Sequence, residues 1–248
     1  MSPIFSSGKL FLNSTSVGSI GVSTESPTTD PYFSNVTALF HFDNSWVDSS
    51  PSNITLQRFA NPQLNTTTVK HGSGSLYTNG GITYWTMPSA IVTNDLAMEC
   101  WLNPVSSISG NDCIVFATGY SDANVLWIQR DETSNIPMRL VVAVGDLGSL
   151  SNKTIVVSGG PGTEIPDGVW SHLAVTKTNG VYKLFVNGID SNTGSSNSTP
   201  LGGTSAHIGR NAGGGQILYA YIDDFRLTVG TSRYTSNFTP PSAPFPDQ

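Results

Sequence analysis

The sequence contains little charge, and the charge it carries is mostly acidic. Only 11% of its 248 residues are charged, with 11 lysines and arginines against 17 aspartates and glutamates. Because there is no block of basic residues to contact phosphates, nucleic acid is not expected as a partner. No apolar run approaches the roughly 20 residues that a membrane-spanning helix needs, so membrane insertion is not expected either.

Residues that support metal or nucleophilic chemistry are also scarce. The chain has two cysteines, Cys100 and Cys113, with no Cys-x-x-Cys motif, and its four histidines show no metal-binding spacing. Both cysteines lie in strand-like segments, which predicts buried free thiols; a cross-strand disulfide is the alternative.

Enzyme motifs are missing as well. A glycosidase places two carboxylates across one bond, but the four glutamates do not form a Glu-x-Asp-x-x-Glu motif. Glu99 alternates with Met98 and Cys100, so we expect it on the less buried face of a strand. No Gly-x-Ser-x-Gly motif occurs. The sequence therefore predicts a protein that is not an enzyme.

Short strand-like segments recur along the chain, whereas amphipathic helix patterns are nearly absent. LAMECWLNP, NVLWIQR, MRLVVAVG and VYKLFVNG are examples, each bounded by turn-forming residues. Asn179-Gly180 and Asn187-Gly188 predict tight turns at the two ends of VYKLFVNG. Both faces of that strand carry large apolar side chains, so it should be covered on both sides. The pattern predicts an all-β, antiparallel two-sheet sandwich.

The two ends of the chain differ from this pattern. Residues 1–35 are rich in Ser, Thr and Gly, and we interpret them as an extended N-terminal arm. At the other end, the prolines of FTPPSAPFP fix φ and donate no hydrogen bonds, so this segment is not an interior strand. We expect it to lie extended across the sandwich, anchored by Phe238 and Phe245.

The order of segments from residue 36 to 248 resembles the concanavalin A-like, laminin-G-like jelly-roll domain. It most resembles the version found in virion proteins of tailed bacteriophages, including phages of marine bacteria and cyanobacteria. The most specific part is Ile-Asp-Asp-Phe-Arg at 222–226, followed by Arg-Tyr-Thr-Ser-Asn-Phe-Thr-Pro-Pro at 233–241. The resemblance implies two packed sheets and a carbohydrate- or protein-binding function without chemistry.

The resemblance also suggests a structural calcium ion at the rim of the sandwich. Asp223 and Asp224 are adjacent in one strand, where a bulge would turn one aspartate outward. Asp223 is one candidate ligand, and Asp43 is the other. The alternative is that an aspartate hydrogen-bonds a turn or pairs with Arg226 or Arg210.

Three aromatic residues are candidates for stacking on sugar rings: Trp85, Trp127 and Tyr219. The alternative for them is sandwich core or a subunit contact. Trp101 and Trp170 lie in segments that resemble core strands.

Two functions follow. The first is a non-enzymatic structural protein on the surface of a phage particle, decorating the capsid or forming part of the tail. The second is a glycan-binding host-attachment module of a tail fibre or spike. A glycoside hydrolase is a third, more distant possibility. The arm would bind other virion proteins or further copies of the chain, by adding strands to an exposed sheet edge. Its apolar residues, and so the candidate contacts, are Leu10, Phe11, Leu12, Val17, Ile20 and Val22.

Overall fold

A computed structural model describes residues 29–87, 95–105, 113–118, 125–131, 139–145, 154–157, 162–191, 195–196, 205–209 and 217–248. The predicted all-β class is confirmed, since the only helix in these ranges is one 3-10 turn at Phe33–Asn35. No helix among them is long and apolar enough to cross a membrane. The strands are β1 Val36–Phe40, β2 Gln57–Phe59, β3 Gln63–Asn65, β4 Ser75–Tyr77, β5 Ile82–Thr86, β6 Leu96–Pro104, β7 Cys113–Thr118, β8 Val125–Asp131, β9 Arg139–Gly145, β10 Thr154–Val157, β11 Ser171–Thr178, β12 Val181–Val186, β13 Ile189–Asp190, β14 Ser195–Ser196, β15 Ser205–Ile208 and β16 Ala220–Val229.

These strands form two antiparallel sheets, as predicted. The nine-stranded sheet has the order β13-β12-β11-β6-β16-β4-β3, with β1 also beside β16 and β14 beside β12. The seven-stranded sheet has the order β10-β9-β8-β7-β15-β5-β2. Strand β16 is central, because it pairs with β6 along one edge and with β4 and β1 along the other.

The core lies between the two sheets and is rich in aromatic side chains. Trp85 and Phe116 of the seven-stranded sheet lie 5.7 and 5.4 Å, between ring centroids, from Phe225 of the nine-stranded sheet. Cys100 also belongs to the core and is a buried free thiol, as predicted. The side chain of Cys113 lies outside the described part of the chain.

Strand β12 confirms the prediction from its alternating sequence. Tyr182, Leu184 and Val186 face the core, and Phe185 is also buried, on the opposite side. The turns at both ends have the positive φ angles that their Asn-Gly pairs predict.

A bulge at Asp224 changes which residues of β16 face the core. The pairing moves from Asp223 opposite Trp101 to Arg226 opposite Glu99, so β16 carries one extra residue there. Because of this residue, Ile222 and Phe225 both enter the core, although their spacing puts them on opposite faces of a regular strand.

The bulge itself was expected, but its effect on the aspartates was not. The sequence suggested that a bulge turns one aspartate outward, whereas Asp223 and Asp224 are each only 1% exposed. The chain segment that begins at Lys70 and the C-terminal tail both donate backbone hydrogen bonds to these carboxylates and cover them.

The C-terminal tail, residues 234–248, contains no strand and crosses the outer face of the nine-stranded sheet, as predicted; we call it the strap. Its two predicted anchors are confirmed. Phe238 packs on Phe185 of β12, with ring centroids 5.5 Å apart, and its backbone N–H donates to the Gly188 carbonyl at 3.0 Å. Phe245 is 3% exposed and packs on the Arg226 guanidinium at 3.9 Å.

Beneath the strap lies a buried charge cluster of Asp30, Glu99, Arg226 and Arg233. Arg226 donates to Glu99 Oε1 from Nε and Nη2, at 3.0 and 2.8 Å. Asp30 accepts hydrogen bonds from both arginines, and the Tyr234 hydroxyl donates to Glu99. The expectation that Glu99 lies on a less buried face is wrong: its strand is covered on both sides, and Glu99 is 0% exposed.

The last residues of the predicted arm pack on the domain. Asp30 belongs to the charge cluster, and Phe33 packs against Val36, Leu39 and Phe245. The six arm residues predicted to contact partners, which are Leu10, Phe11, Leu12, Val17, Ile20 and Val22, lie outside the described residues.

Candidate functional site

Three tyrosines lie together on the outer face of the nine-stranded sheet, beyond the region that the strap contacts. Tyr77 of β4 pairs in register with Tyr221 of β16, and their rings stack with centroids 4.9 Å apart and planes tilted by 27°. Tyr219 lies two residues before Tyr221 and is one of the groups that raise the pKa of Tyr77. We call these residues, with Gln63 and Asn103, the tyrosine face.

Strand alternation explains why the tyrosines face outward. The neighbours Leu76 and Ile222 pair with each other in the core, so Tyr77 and Tyr221 point to the opposite side. Glycine at position 80 leaves room for Tyr219, because a Cβ there would lie 2.9 Å from the tyrosine hydroxyl.

The tyrosine face combines aromatic rings, hydroxyls and amides. All three tyrosines are half-buried, and burial raises the pKa of Tyr77, with smaller contributions from Tyr221 and Tyr219. Gln63, which is exposed, pairs with Tyr77, and Asn103, which is only 6% exposed, pairs with Tyr221, so one amide residue flanks each end of the stacked pair. Aromatic rings with hydrogen-bonding groups around them suit a ligand that is apolar on one surface and hydroxylated at its edges.

The two aspartates predicted as calcium ligands both accept backbone hydrogen bonds from residues 70–74. Asp223 Oδ2 accepts the backbone N–H groups of Lys70 and His71, at 2.8 and 3.1 Å. Asp43 Oδ1 accepts the backbone N–H groups of Ser73 and Gly74. The turn-bonding alternative therefore describes both acids, which fasten residues 70–74 to the sheet.

These contacts do not resemble a calcium cage. The groups around the two carboxylates are N–H donors, whereas calcium requires oxygen ligands. In the ranges that the structure describes, no three His, Cys, Asp or Glu side chains are grouped to hold a metal ion. Calcium binding through Asp43 and Asp223 stays a prediction; a fall in melting temperature on chelation, absent in Asp223→Ala, would support it.

Asp223 has one further unusual property. Burial raises its pKa to about 7, an effect that the two backbone hydrogen bonds oppose, and its Oδ1 has no partner. A raised carboxyl pKa also suits a general acid. However, Asp223 is only 1% exposed and the adjacent Asp224 is bonded to His41 and to Phe245, so neither is placed to reach a substrate.

The predicted sugar-stacking residues have different outcomes. Tyr219 lies in the tyrosine face. Trp85 is 2% exposed in the core, so the alternative stated for it, sandwich core, is the one observed. Trp127 lies in β8, in a stretch where the structure does not describe side chains.

Sequence reasoning missed Tyr77, Tyr221 and Trp101 as candidates. The alternation of Leu76 with Tyr77, and of Ala220 with Tyr221, was a signal that these tyrosines face away from the core. Trp101 was expected in the core, but it alternates with the core residues Cys100 and Leu102 and lies on the outer face.

Comparison with known proteins gives one matching family and several structures of similar fold. The concanavalin A-like lectin/glucanases superfamily matches residues 78–230. No curated protein matches the chain in sequence. The botulinum neurotoxin serotype D binding domain is similar with a TM-score of 0.63 and 12% identity, over 82% of this chain and 50% of that one.

Two further solved structures contain a sugar. One is the botulinum neurotoxin serotype D ligand binding domain in complex with N-acetylneuraminic acid. Its TM-score is 0.61 and its identity is 15%, over 81% of this chain and 48% of that one. The other is domain 4 of AbnA, an extracellular arabinanase from Geobacillus stearothermophilus, in complex with arabinotriose. Its TM-score is 0.55 and its identity is 22%, over 79% of this chain and 93% of that one. The chain spans about half the length of the neurotoxin domains. At these identities the likeness shows the fold alone.

Proposed function

Because the chain belongs to the concanavalin A-like lectin/glucanases superfamily, we propose that it is a non-catalytic carbohydrate-binding protein whose ligand lies on the tyrosine face. The observation that carries this proposal is the stacked pair of Tyr77 and Tyr221, half-buried and flanked by two amides. The sugars present with two structurally similar proteins support the same ligand class.

The physical basis is that a sugar ring has apolar C–H surfaces and a polar edge of hydroxyls. Tyrosine rings that are already held by stacking lose little side-chain freedom when a ligand packs against them. The phenol hydroxyls and the exposed amide of Gln63 then replace water as hydrogen-bond partners of the sugar. No step in this description requires a nucleophile or a general acid, in keeping with the predicted absence of enzyme activity.

Substitution of Tyr221 tests the proposal. Tyr221→Ala should weaken binding of the glycans that a glycan array identifies by about tenfold, the factor that corresponds to about 1.4 kcal/mol. The matched control is Tyr84→Ala, because Tyr84 is also half-buried and stacked, on His207 at 5.9 Å in the seven-stranded sheet. Equal loss in both variants, or binding to no glycan on the array, would contradict the proposal.

For its location, we propose that the chain sits on the surface of a bacteriophage particle, as a capsid decoration protein or a tail component. The support is the resemblance of residues 222–241 to virion proteins, and the composition of the arm, which suits strand addition to a neighbouring protein. A decoration protein and a host-attachment module are compatible, since one chain can both adhere to a particle and bind a cell-surface glycan.

Deletion of residues 1–28 tests attachment better than deletion of the whole arm. Removing Asp30 would take from Arg226 and Arg233 one of the two buried carboxylates that they share, leaving them Glu99, and would destabilise the domain itself. The shortened chain should fold but fail to occupy particles stripped of the full-length protein, as seen by electron microscopy. Full occupancy by the shortened chain would overturn attachment through the arm, and the observed position would distinguish capsid from tail.

A further inference from the structure

Trp101 lies next to the tyrosine face. It is two residues from Asn103 on β6, and it pairs in register with Asp223, two residues from Tyr221. Since alternate residues of neighbouring strands share a face, the Trp101 ring continues the surface that Tyr77 and Tyr221 begin.

The Lys70 side chain covers the Trp101 ring, which lies outside the core. The Lys70 ammonium lies 3.9 Å from the centre of the ring, and Trp101 is 6% exposed. Lys70 is held at its backbone, where its N–H donates to Asp223, while its side chain is only half-buried. The ammonium can therefore leave the ring without movement of the chain.

Polar atoms around Trp101 also lack partners. The indole N–H of Trp101, Nε2 of His71 and Oδ1 of Asp223 are buried without a hydrogen bond. The rings of His71 and His172 contact Trp101 edge-on, at 5.6 and 5.1 Å. Buried polar atoms are normally hydrogen-bonded, so a group of unpaired ones beside an aromatic ring indicates a place for a hydroxylated ligand.

We propose that Trp101 is a second sugar-stacking position of the site, which Lys70 covers until an oligosaccharide extending from the tyrosine face displaces it. This inference rests on the proposed function and deepens it: the ligand is a chain of several sugars rather than a single sugar. Short oligosaccharides contact the tyrosines only, and longer ones exchange the Lys70 ammonium for a sugar ring on Trp101.

The experiment compares ligand length. Dimers and hexamers of arabinose, of β-1,4-linked glucose and of β-1,4-linked N-acetylglucosamine are titrated into the full chain by calorimetry. Lys70→Ala should strengthen binding of the hexamer by roughly two- to fivefold, the factor for losing one exposed cation–π contact, and leave the dimer unchanged. Trp101→Phe should bring the affinity for the hexamer towards that for the dimer. The control is Arg58→Ala, which removes a similar cation, 4.7 Å above Trp46, and should change neither affinity.

The outcomes separate this inference from the proposed function. Hexamer binding that Tyr221→Ala weakens, but that Lys70→Ala and Trp101→Phe leave unchanged, overturns the second position and leaves the tyrosine face intact. An equal effect of Lys70→Ala on dimer and hexamer also overturns it. If none of the three sugar series binds the unaltered chain, the inference falls together with neutral-glycan binding at the tyrosine face.

Discussion

Glu99 offers the sharpest test of whether the acids of this protein serve structure or chemistry. Glu99→Gln replaces a fully buried carboxylate that accepts two hydrogen bonds from Arg226 and one from Tyr234. Burial alone would raise the pKa of Glu99, but the Arg226 charge and the His172 ring, whose Nε2 lies 3.5 Å from Glu99 Oε2, hold it well below its usual value. The carboxylate is therefore charged at neutral pH, and the amide leaves Arg226 and Arg233 with only Asp30.

The expected loss of stability is large for a substitution that keeps the size of the side chain. Breaking a buried ion pair costs about 3–5 kcal/mol, which in a chain of this size lowers the melting temperature by about 6–20 °C. Because the Glu99 pKa is lowered by folding, its contribution is present above the unfolded value near 4.3 and is lost as the pH falls further. The difference in unfolding free energy between Glu99→Gln and the unaltered chain should therefore become smaller below about pH 4.

Urea unfolding at neutral pH measures this loss, with two controls. Glu164→Gln changes an exposed glutamate, and its unfolding free energy should stay within about 0.5 kcal/mol of that of the unaltered chain. The double variant Glu99→Met with Arg226→Met keeps the Asp30–Arg233 pair and should cost less than Glu99→Gln, because no charge is left unpaired. Unchanged stability in Glu99→Gln, together with loss of a sugar-releasing activity, would refute the structural assignment and indicate a catalytic carboxylate.

Two further predictions concern Asp223 and the strap. The pKa of Asp223 is raised to about 7, above its unfolded value near 3.9, so the folded chain loses stability as the pH rises from about 4 to about 7. Asp223→Asn should therefore gain stability relative to the unaltered chain between about pH 4 and pH 7, by at most about 1.4 kcal/mol per pH unit in denaturant titrations, and the difference should level off above pH 7; a constant difference would argue against a raised pKa. Gly188→Ala should loosen the strap, because the added Cβ would lie 1.9 Å from the Phe238 carbonyl oxygen. The control is Gly168→Ala, because Gly168 also has a positive φ but a Cβ there would have nothing within 4 Å. Gly188→Ala should lose at least about 1 kcal/mol more unfolding free energy than this control, and a protease should cleave its strap faster. Equal losses of stability in the two variants would mean that contact with the strap is unimportant.

The sequence by itself determined the fold class and the behaviour of its local segments. Alternation in β12 identified two covered faces, and the Asn-Gly pairs identified the turns, because both signals depend on neighbours a few residues apart. The prolines of the strap excluded a strand for the same local reason, and Phe238 and Phe245 were its recognisable anchors.

Only the tertiary structure decided which of two possible faces is buried and which distant residues meet. Alternation defines two faces of a strand but not what covers each one, so Glu99 was expected nearer solvent and Trp101 in the core. The bulge at Asp224 shifts the register of all that follows, and such a shift moves every side chain to the other face. The pairing of Tyr77 with Tyr221, and of Lys70 with Trp101, joins segments far apart in the chain. Contacts of this kind form because the two sheets must pack together as a whole, and no local pattern contains that information.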